Sequence, residues 1–119
     1  MANVNDSLAT FMAINGTMAR AIVDGNSGMV MGKAGAGLDL DVAAAGNTEV
    51  VRSKMKTMKA LGLKENIDDI LITLDSQYHI IRPLQSMPGV FIYLVLDKSR
   101  SNLAMARIKV KAMEGALQL

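Results

Sequence analysis

The 119-residue sequence lacks cysteine and tryptophan, and it has one histidine, two prolines, two phenylalanines and two tyrosines. Without cysteine the chain forms no disulfide, no thiolate metal site and no thiol nucleophile. A metal site needs several converging ligands, so the lone His79 predicts a surface or half-buried strand histidine and no metal. The core must be built from aliphatic residues and ten methionines, whose flexible side chains adapt to irregular contacts.

A strong charge of one sign and a long apolar run are also missing. The chain has 13 basic and 11 acidic residues, which is too balanced to predict a nucleic-acid partner. No apolar run approaches the roughly 20 residues of a membrane span. The start, MANVNDSLATFMAING, lacks the basic and apolar segments of a signal peptide. These features predict a cytoplasmic protein without a membrane span.

Catalytic and nucleotide-binding motifs are incomplete. Residues 28–33, GMVMGK, resemble a phosphate-binding loop, but only three residues separate the glycines and Ala34 replaces the required Ser or Thr. Asp68 and Asp69 are neighbours in a predicted strand, so their side chains are expected on opposite faces, where they cannot act as an acid–base pair. No serine has the context of a nucleophile elbow. We therefore predict no enzymatic activity and no cofactor.

The most informative feature that is present is residues 70–96, ILITLDSQYHIIRPLQSMPGVFIYLVL. This segment predicts three consecutive strands with apolar residues on both faces. An antiparallel sheet with one face in water would alternate apolar and polar residues. Both faces must therefore be covered, either by helices or by a second copy of the chain.

The whole sequence predicts the order helix, two strands, helix, three strands, helix, in one domain spanning 1–119. The first helix is expected at about 7–13, and a hairpin is expected from a strand at 18–24 and a second strand starting at 29–31. The long helix should run from 39 or 41 to 61, and the last helix from 97 to about 117. The three later strands are expected at 68–74, 77–84 and 90–96. Residues 33–37, KAGAG, are expected to form a flexible exit loop.

Several polar residues have predicted structural roles. Asp39 or Asp41 is expected to cap the long helix, with Gly62 just past its end, and Asp97 is expected to cap the last helix. Arg82 lies on a strand that is otherwise apolar. Since semi-buried charges are normally paired, we expect it to bind Asp69 or Asp75, with contact to a partner as the alternative.

Three segments resemble the roadblock/dynein light chain domain family, and together they span about residues 5–117. They are the opening helix running into the hairpin GTMARAIVDGNSGMVMGKAG, the strand pair DDILITLDSQYHIIRPL, and the apolar strand leading into the last helix, GVFIYLVLDKSRSNLAMARIKV. The resemblance implies an α/β fold, a five-stranded antiparallel sheet with helices on both faces in the profilin-like roadblock architecture. The long middle helix would lie alone on one face.

The resemblance also implies a homodimer, paired through the middle helix and third strand, that binds a small Ras-like GTPase as a regulator or scaffold. The expected dimer residues are Ala44, Val51, Met55, Met58, Ile70 and Ile72. The expected partner-binding residues, chosen outside the helix's apolar stripe, are Thr48, Arg52, Lys56 and Lys59. On this basis Val51→Asp should break the dimer.

Two alternatives remain open from the sequence. One is a purely structural subunit of a larger assembly. The other is a small-molecule-sensing domain, which would need a cavity with converging polar groups. The strands offer Thr73, Tyr78, His79 and Arg82 for that purpose.

Overall fold

The computed structural model describes Asn3, Asp6, Leu8, Ala9, residues 14–115 and Leu117. Within these residues the elements are β1 Thr17–Asp24, β2 Met29–Gly35, α1 Leu40–Ala60, β3 Ile70–Thr73, β4 Gln77–Pro83, β5 Val90–Asp97 and α2 Leu103–Glu114. The predicted first helix lies outside the described residues, apart from Leu8 and Ala9. None of the described helices is both long and apolar enough to span a membrane.

The strands form one antiparallel sheet in the order β2-β1-β5-β4-β3. The most apolar strand, β5, lies at its centre, and all six residues of 91–96 are buried. On one face, Phe91, Tyr93 and Val95 pack with Leu40 and Ala44 of α1. This arrangement confirms the predicted α/β class and explains the apolarity on both faces.

The opposite face of β5 carries Ile92, Leu94 and Leu96, which pack with Ala106 and Val110 of α2. Helices therefore cover both faces of the sheet, as the sequence predicts. Alternate residues of β5 serve two separate cores, because side chains alternate between the faces of a strand.

Helix α1 has the bounds and caps that the sequence predicts. The Asp39 carboxylate accepts hydrogen bonds from the backbone amides of Asp41, at 3.1 Å, and Val42, at 3.2 Å. These bonds satisfy two of the amides that have no partner inside the helix. Gly62 follows the last turn with φ +72°, a conformation that favours glycine.

The predicted cap of the last helix is wrong. Asp97 ends β5, and its carboxylate accepts hydrogen bonds from the amide and hydroxyl of Ser99, at 3.0 and 2.8 Å. This turn leads the chain from the end of β5 to α2, which packs on the face of the sheet. The cap is Asn102, whose side-chain oxygen accepts a hydrogen bond from the amide of Met105 at 3.1 Å.

The predicted exit loop at residues 33–37 is also wrong, because residues 33–35 continue β2. Lys33 pairs with Ala21, and Gly35 pairs with Ala19. At Gly35, with φ +103°, a Cβ would collide with the carbonyl oxygen of Met18. The glycines that suggested a loop thus permit close pairing along the edge of the sheet.

Candidate functional site

Two polar contacts fix the rotation of α1 about its axis. The Asp41 carboxylate binds the Lys33 ammonium of β2 at 2.7 Å. The Arg52 guanidinium donates to the carbonyl oxygens of Gly25, at 2.7 Å, and Asn26, at 3.0 Å, in the turn between β1 and β2. Eleven residues are close to three helical turns, so Asp41 and Arg52 share the flank of α1 that faces β2. The opposite flank therefore faces β3.

We call that opposite flank the β3-side flank of α1, and its exposed residues are Gly46, Val50, Lys54, Thr57 and Leu61. Val50 is 37% exposed and Leu61 is 66% exposed. A Cβ placed on Gly46 would have no atom within 4 Å. The flank thus combines apolar side chains with open space beside a glycine, where another helix can approach closely.

The strand β3 forms the edge of the sheet on the side of this flank. Ile70 pairs with Ile81, and Ile72 pairs with His79, so both β3 isoleucines lie on the sheet face that α1 covers. Both are half-buried, and Ile70 packs against the α1-side core. The structure therefore brings the predicted dimer residues Ile70 and Ile72 together at one edge of the sheet.

The predicted dimer residues of α1 lie on its sheet-facing stripe and not on the β3-side flank. Ala44 is 0% exposed and packs in the core, so its side chain offers no surface to a second copy of the chain. Val51 and Met58 are half-buried, while Met55 is 57% exposed. These three lie near the carboxyl end of the helix. The predicted dimer set does not include Gly46, Val50 and Leu61 of the β3-side flank, because the apolar pattern does not reveal which flank points toward β3.

Among the predicted partner-binding residues, Thr48 does not lie on the surface. It is 2% exposed, and its hydroxyl donates to the carbonyl oxygen of Ala44 at 2.7 Å. Threonine can satisfy its hydroxyl this way inside a helix, so its polarity does not indicate exposure. Arg52 is exposed but bound to the hairpin turn, whereas Lys56 and Lys59 are exposed on the surface.

A small polar cluster lies under α1. His79 Nδ1 is 2.9 Å from the Tyr93 hydroxyl, and His79 Nε2 is 2.8 Å from the Gln77 side-chain oxygen. Burial lowers the pKa of His79. Burial also raises the pKa of Tyr93, an effect that the side chain of Asn47 opposes. His79 is thus the half-buried strand histidine that the sequence predicts.

The four polar residues considered for a sensing cavity do not converge. Tyr78 and Arg82 alternate with His79 along β4 and lie on the α2 side of the sheet, where Tyr78 packs against that core. Thr73 pairs with Tyr78 and therefore shares that side. His79 alone lies on the α1 side.

The prediction that Arg82 pairs with an acid is confirmed, but the acids are not Asp69 or Asp75. Its guanidinium binds the carboxylates of Glu114 at 2.8 Å and Asp68 at 3.1 Å. Hydrogen bonding to Arg82 and the nearby charge of Lys111 lower the pKa of Asp68. Asp69 binds Arg107 of α2 through both oxygens, at 2.7 and 2.8 Å, which raises the pKa of Arg107.

Asp68 and Asp69 therefore both face α2, contrary to the prediction that they point to opposite faces. The reason is that they precede β3, which begins at Ile70, so the alternation of a strand does not apply to them. Residues 28–33, the sequence that resembles a phosphate loop, form the turn and edge strand β2. Among the described residues, no group of three or more His, Cys, Asp or Glu could hold a metal ion.

The antiparallel sheet, with α1 on one face and α2 on the other, is the fold of roadblock/LC7 domains. A roadblock/LC7 domain from Streptomyces avermitilis superposes with a TM-score of 0.82 at 12% identity, covering 97% of this chain and 94% of that chain. No sequence-family model matches the chain, and no curated protein matches it either. The fold assignment therefore depends on three-dimensional similarity.

Two MglB proteins have the same fold. Myxococcus xanthus MglB has a TM-score of 0.82 at 17% identity, with 94% of this chain and 89% of that chain covered. The gliding protein MglB from Thermus thermophilus has a TM-score of 0.79 at 15% identity, with 93% and 82% covered. The chain thus has the fold of roadblock/LC7 domains, which these MglB proteins share.

Proposed function

We propose that this chain is a non-enzymatic, homodimeric regulatory or scaffold protein that binds a small Ras-like GTPase and modulates its nucleotide cycle. The observation that carries the proposal is the edge strand β3 on the same side of the molecule as the exposed β3-side flank of α1. An edge strand presents backbone donors and acceptors that a second strand can pair with. The roadblock fold supports the same reading, because the family resemblance implies pairing through these two elements.

In the proposed dimer, two β3 strands pair across a two-fold axis and the two α1 helices meet at their β3-side flanks. Such an interface uses the same patch of both copies. It extends the five-stranded sheet to ten strands and covers the half-exposed Ile70 and Ile72. The open space beside Gly46 allows the helices to approach closely.

The proposed GTPase surface is the outer side of the paired α1 helices. Between Arg52 and Lys64 the chain has five basic residues and no acidic residue, so this half of α1 favours an acidic partner surface. Of the predicted contact residues, Lys56 and Lys59 are free to bind a partner there. A dimer that binds one nucleotide state of the GTPase more tightly shifts its switch loops toward that state, and the GTPase supplies the catalytic groups.

The test is capture of a GTPase by the purified, tagged chain from a native lysate loaded with GDP or with a non-hydrolysable GTP analogue. We expect a Ras-sized protein, identified by mass spectrometry, to be retained with the GTP analogue only. The variant Lys56→Glu/Lys59→Glu should lose it, because two attractive charges become repulsive. The matched control Arg100→Glu/Lys109→Glu changes the net charge equally away from α1 and should retain it.

Equal capture of the same partners in both nucleotide states would contradict regulation and favour a structural subunit. Capture that is lost equally in both double variants would contradict the proposed surface on α1.

A further inference from the structure

A groove opens at the end of the sheet, where α1 extends past the hairpin turn. Arg52 contacts that turn, and the last two turns of the helix continue beyond it. The connection at residues 62–67 then leads back toward β3. Together with the ends of β4 and β5, these segments enclose a cavity of about 480 Å³, which lies within the usual range for small-molecule sites.

The cavity has an apolar interior. Its lining includes Met55, Met58, Leu63, Ile67, Leu84 and Phe91. Leu84 and Phe91 are buried and form the floor, whereas Met55 and Leu63 are exposed at the rim. The groove thus presents a continuous apolar surface with adaptable methionine side chains, and α1 does not fill it.

The rim carries positive charge. Lys59 and Lys64 line the groove, with Glu65 as the acidic residue beside them. Within the described part of the chain, the ion pairs involve neither lysine. An apolar cavity with unpaired cations at its mouth matches an amphipathic ligand with an anionic end.

The groove also stays accessible in the proposed dimer. Lys59 follows Arg52 by seven residues, close to two helical turns, so it lies on the β2-facing flank of α1. The proposed dimer contact lies on the opposite flank. A second copy of the chain that pairs through β3 would therefore leave this rim open.

We propose that the groove binds a single-chain amphiphile with an anionic head, of the long-chain carboxylate class. The aliphatic chain lies on Met58, Leu84 and Phe91, and the carboxylate is held at Lys59 and Lys64. The apolar walls supply affinity through burial, and the two lysines select the sign of the head group. Lys59 also belongs to the proposed GTPase surface, but this test uses no partner protein, so its outcome does not depend on GTPase binding.

The test measures binding of dodecanoate, below its micelle concentration, to the full chain by calorimetry and by NMR of ¹³C-labelled methionine methyl groups. We expect one saturable site per chain, with shifts at Met55 and Met58 and none at Met105, an exposed methionine of α2. Dodecyltrimethylammonium, which has the same chain and the opposite charge, and acetate, which lacks the chain, should each bind at least about tenfold more weakly.

Charge variants then test the rim. Lys59→Glu/Lys64→Glu should weaken dodecanoate binding by about tenfold or more, because each reversed charge removes an attraction and adds a repulsion. Arg100→Glu/Lys109→Glu makes the same change in net charge at residues outside both the cavity lining and α1, and it should leave the affinity unchanged.

Absence of saturable binding, equal binding of both amphiphiles, or equal weakening by the two double variants would overturn the proposal. Co-sedimentation with vesicles containing phosphatidylglycerol separates a free ligand from a membrane surface. Binding to those vesicles without binding of dodecanoate would likewise overturn it.

Discussion

At the scale of single residues, His79 links β4 to β5 on the α1 side of the sheet. Its ring contacts Tyr93 of β5 through Nδ1 and Gln77 of its own strand through Nε2, and the two aromatic rings meet edge to face at 69°. Hydrogen bonding with the side chain of Asn47 from α1 lowers the pKa of the same Tyr93, against the effect of burial. The neutral imidazole is favoured here, because burial penalises its charged form.

Acidification is expected to destabilise the fold through His79. Because burial places the pKa of His79 below its ordinary value near 6.5, the unfolded chain binds the proton more tightly. The stabilisation is therefore complete above that value and is lost as the pH falls through the lower folded-state pKa. Urea unfolding at a series of pH values below 7 should show this loss, and His79→Gln should make the dependence shallower. An unchanged pH dependence in the variant would contradict this assignment.

Thr48 is a case in which the residue type does not predict the burial of the side chain. Its residue type indicates a polar surface, but its hydroxyl is satisfied within the helix by the carbonyl of Ala44. The residue therefore fits among the apolar contacts of the core at little cost. Only the orientation of α1 on the sheet distinguishes it from the exposed Lys56.

At the scale of elements, a polar contact joins β4 to the end of α2. The Glu114 carboxylate binds Arg82 at 2.8 Å and accepts a hydrogen bond from the amide of Gln85 at 3.0 Å. The side chains of Arg82 and Glu114 are only 7% and 11% exposed. A pair this deeply buried fixes the position of the helix end, since either charge left alone there would be poorly solvated.

Removing Glu114 should therefore cost more stability than removing the exposed partner of Arg82. Glu114→Ala leaves the guanidinium buried with Asp68 alone and should lower the free energy of unfolding by about 2–4 kcal/mol. The loss is measurable by urea denaturation at neutral pH. Asp68→Ala is the control and should cost clearly less, because that carboxylate is 64% exposed. Equal losses in the two variants would contradict this account.

Among the secondary-structure elements, the sequence predicted most strands and α1 well and misplaced specific ends. Strand β5 and α1 have strong internal signals, a six-residue apolar run and a capping aspartate. The ends of β2 and β3 depend on which residues of the neighbouring strand are available for hydrogen bonding. The start of α2 depends on where the chain turns from the end of β5 onto the face of the sheet. The glycines of β2 and Asp97 at the end of β5 are compatible with both the predicted structure and the observed one.

At the scale of the whole molecule, the sheet is covered on both faces but has two edges. Strand β2 lies at one edge and β3 at the other. The β3 edge combines half-exposed isoleucines with the exposed apolar residues of the neighbouring helix flank. That combination makes it the proposed dimer contact.

The dimer proposal predicts that Val50→Asp breaks the assembly. An unpaired aspartate buried between two helices is strongly unfavourable, so the dimer dissociation constant should rise by about a hundredfold or more. Light scattering during gel filtration should give twice the 12.7 kDa of one chain for the natural sequence and one chain's mass for the variant at micromolar concentration.

Ile108→Asp is the matched control, because Ile108 is 61% exposed on α2, which lies on the opposite face of the sheet from the β3-side flank. It should remain dimeric. Val51→Asp, which the sequence suggests, is a poorer test, since Val51 packs against the core and its replacement would also destabilise the monomer. A Val50→Asp variant that dimerises like the natural sequence would remove this flank from the interface.

The sequence alone determined the element order, the two-sided burial of β5 and the lack of cysteine chemistry, because periodicity, capping residues and composition are local properties. The tertiary structure decided which flank of α1 faces β3, which acids pair with Arg82, and where the groove at the end of α1 lies. These features depend on how helices rotate and extend relative to the sheet. Such geometry arises from contacts between segments far apart in the chain, which local patterns do not encode.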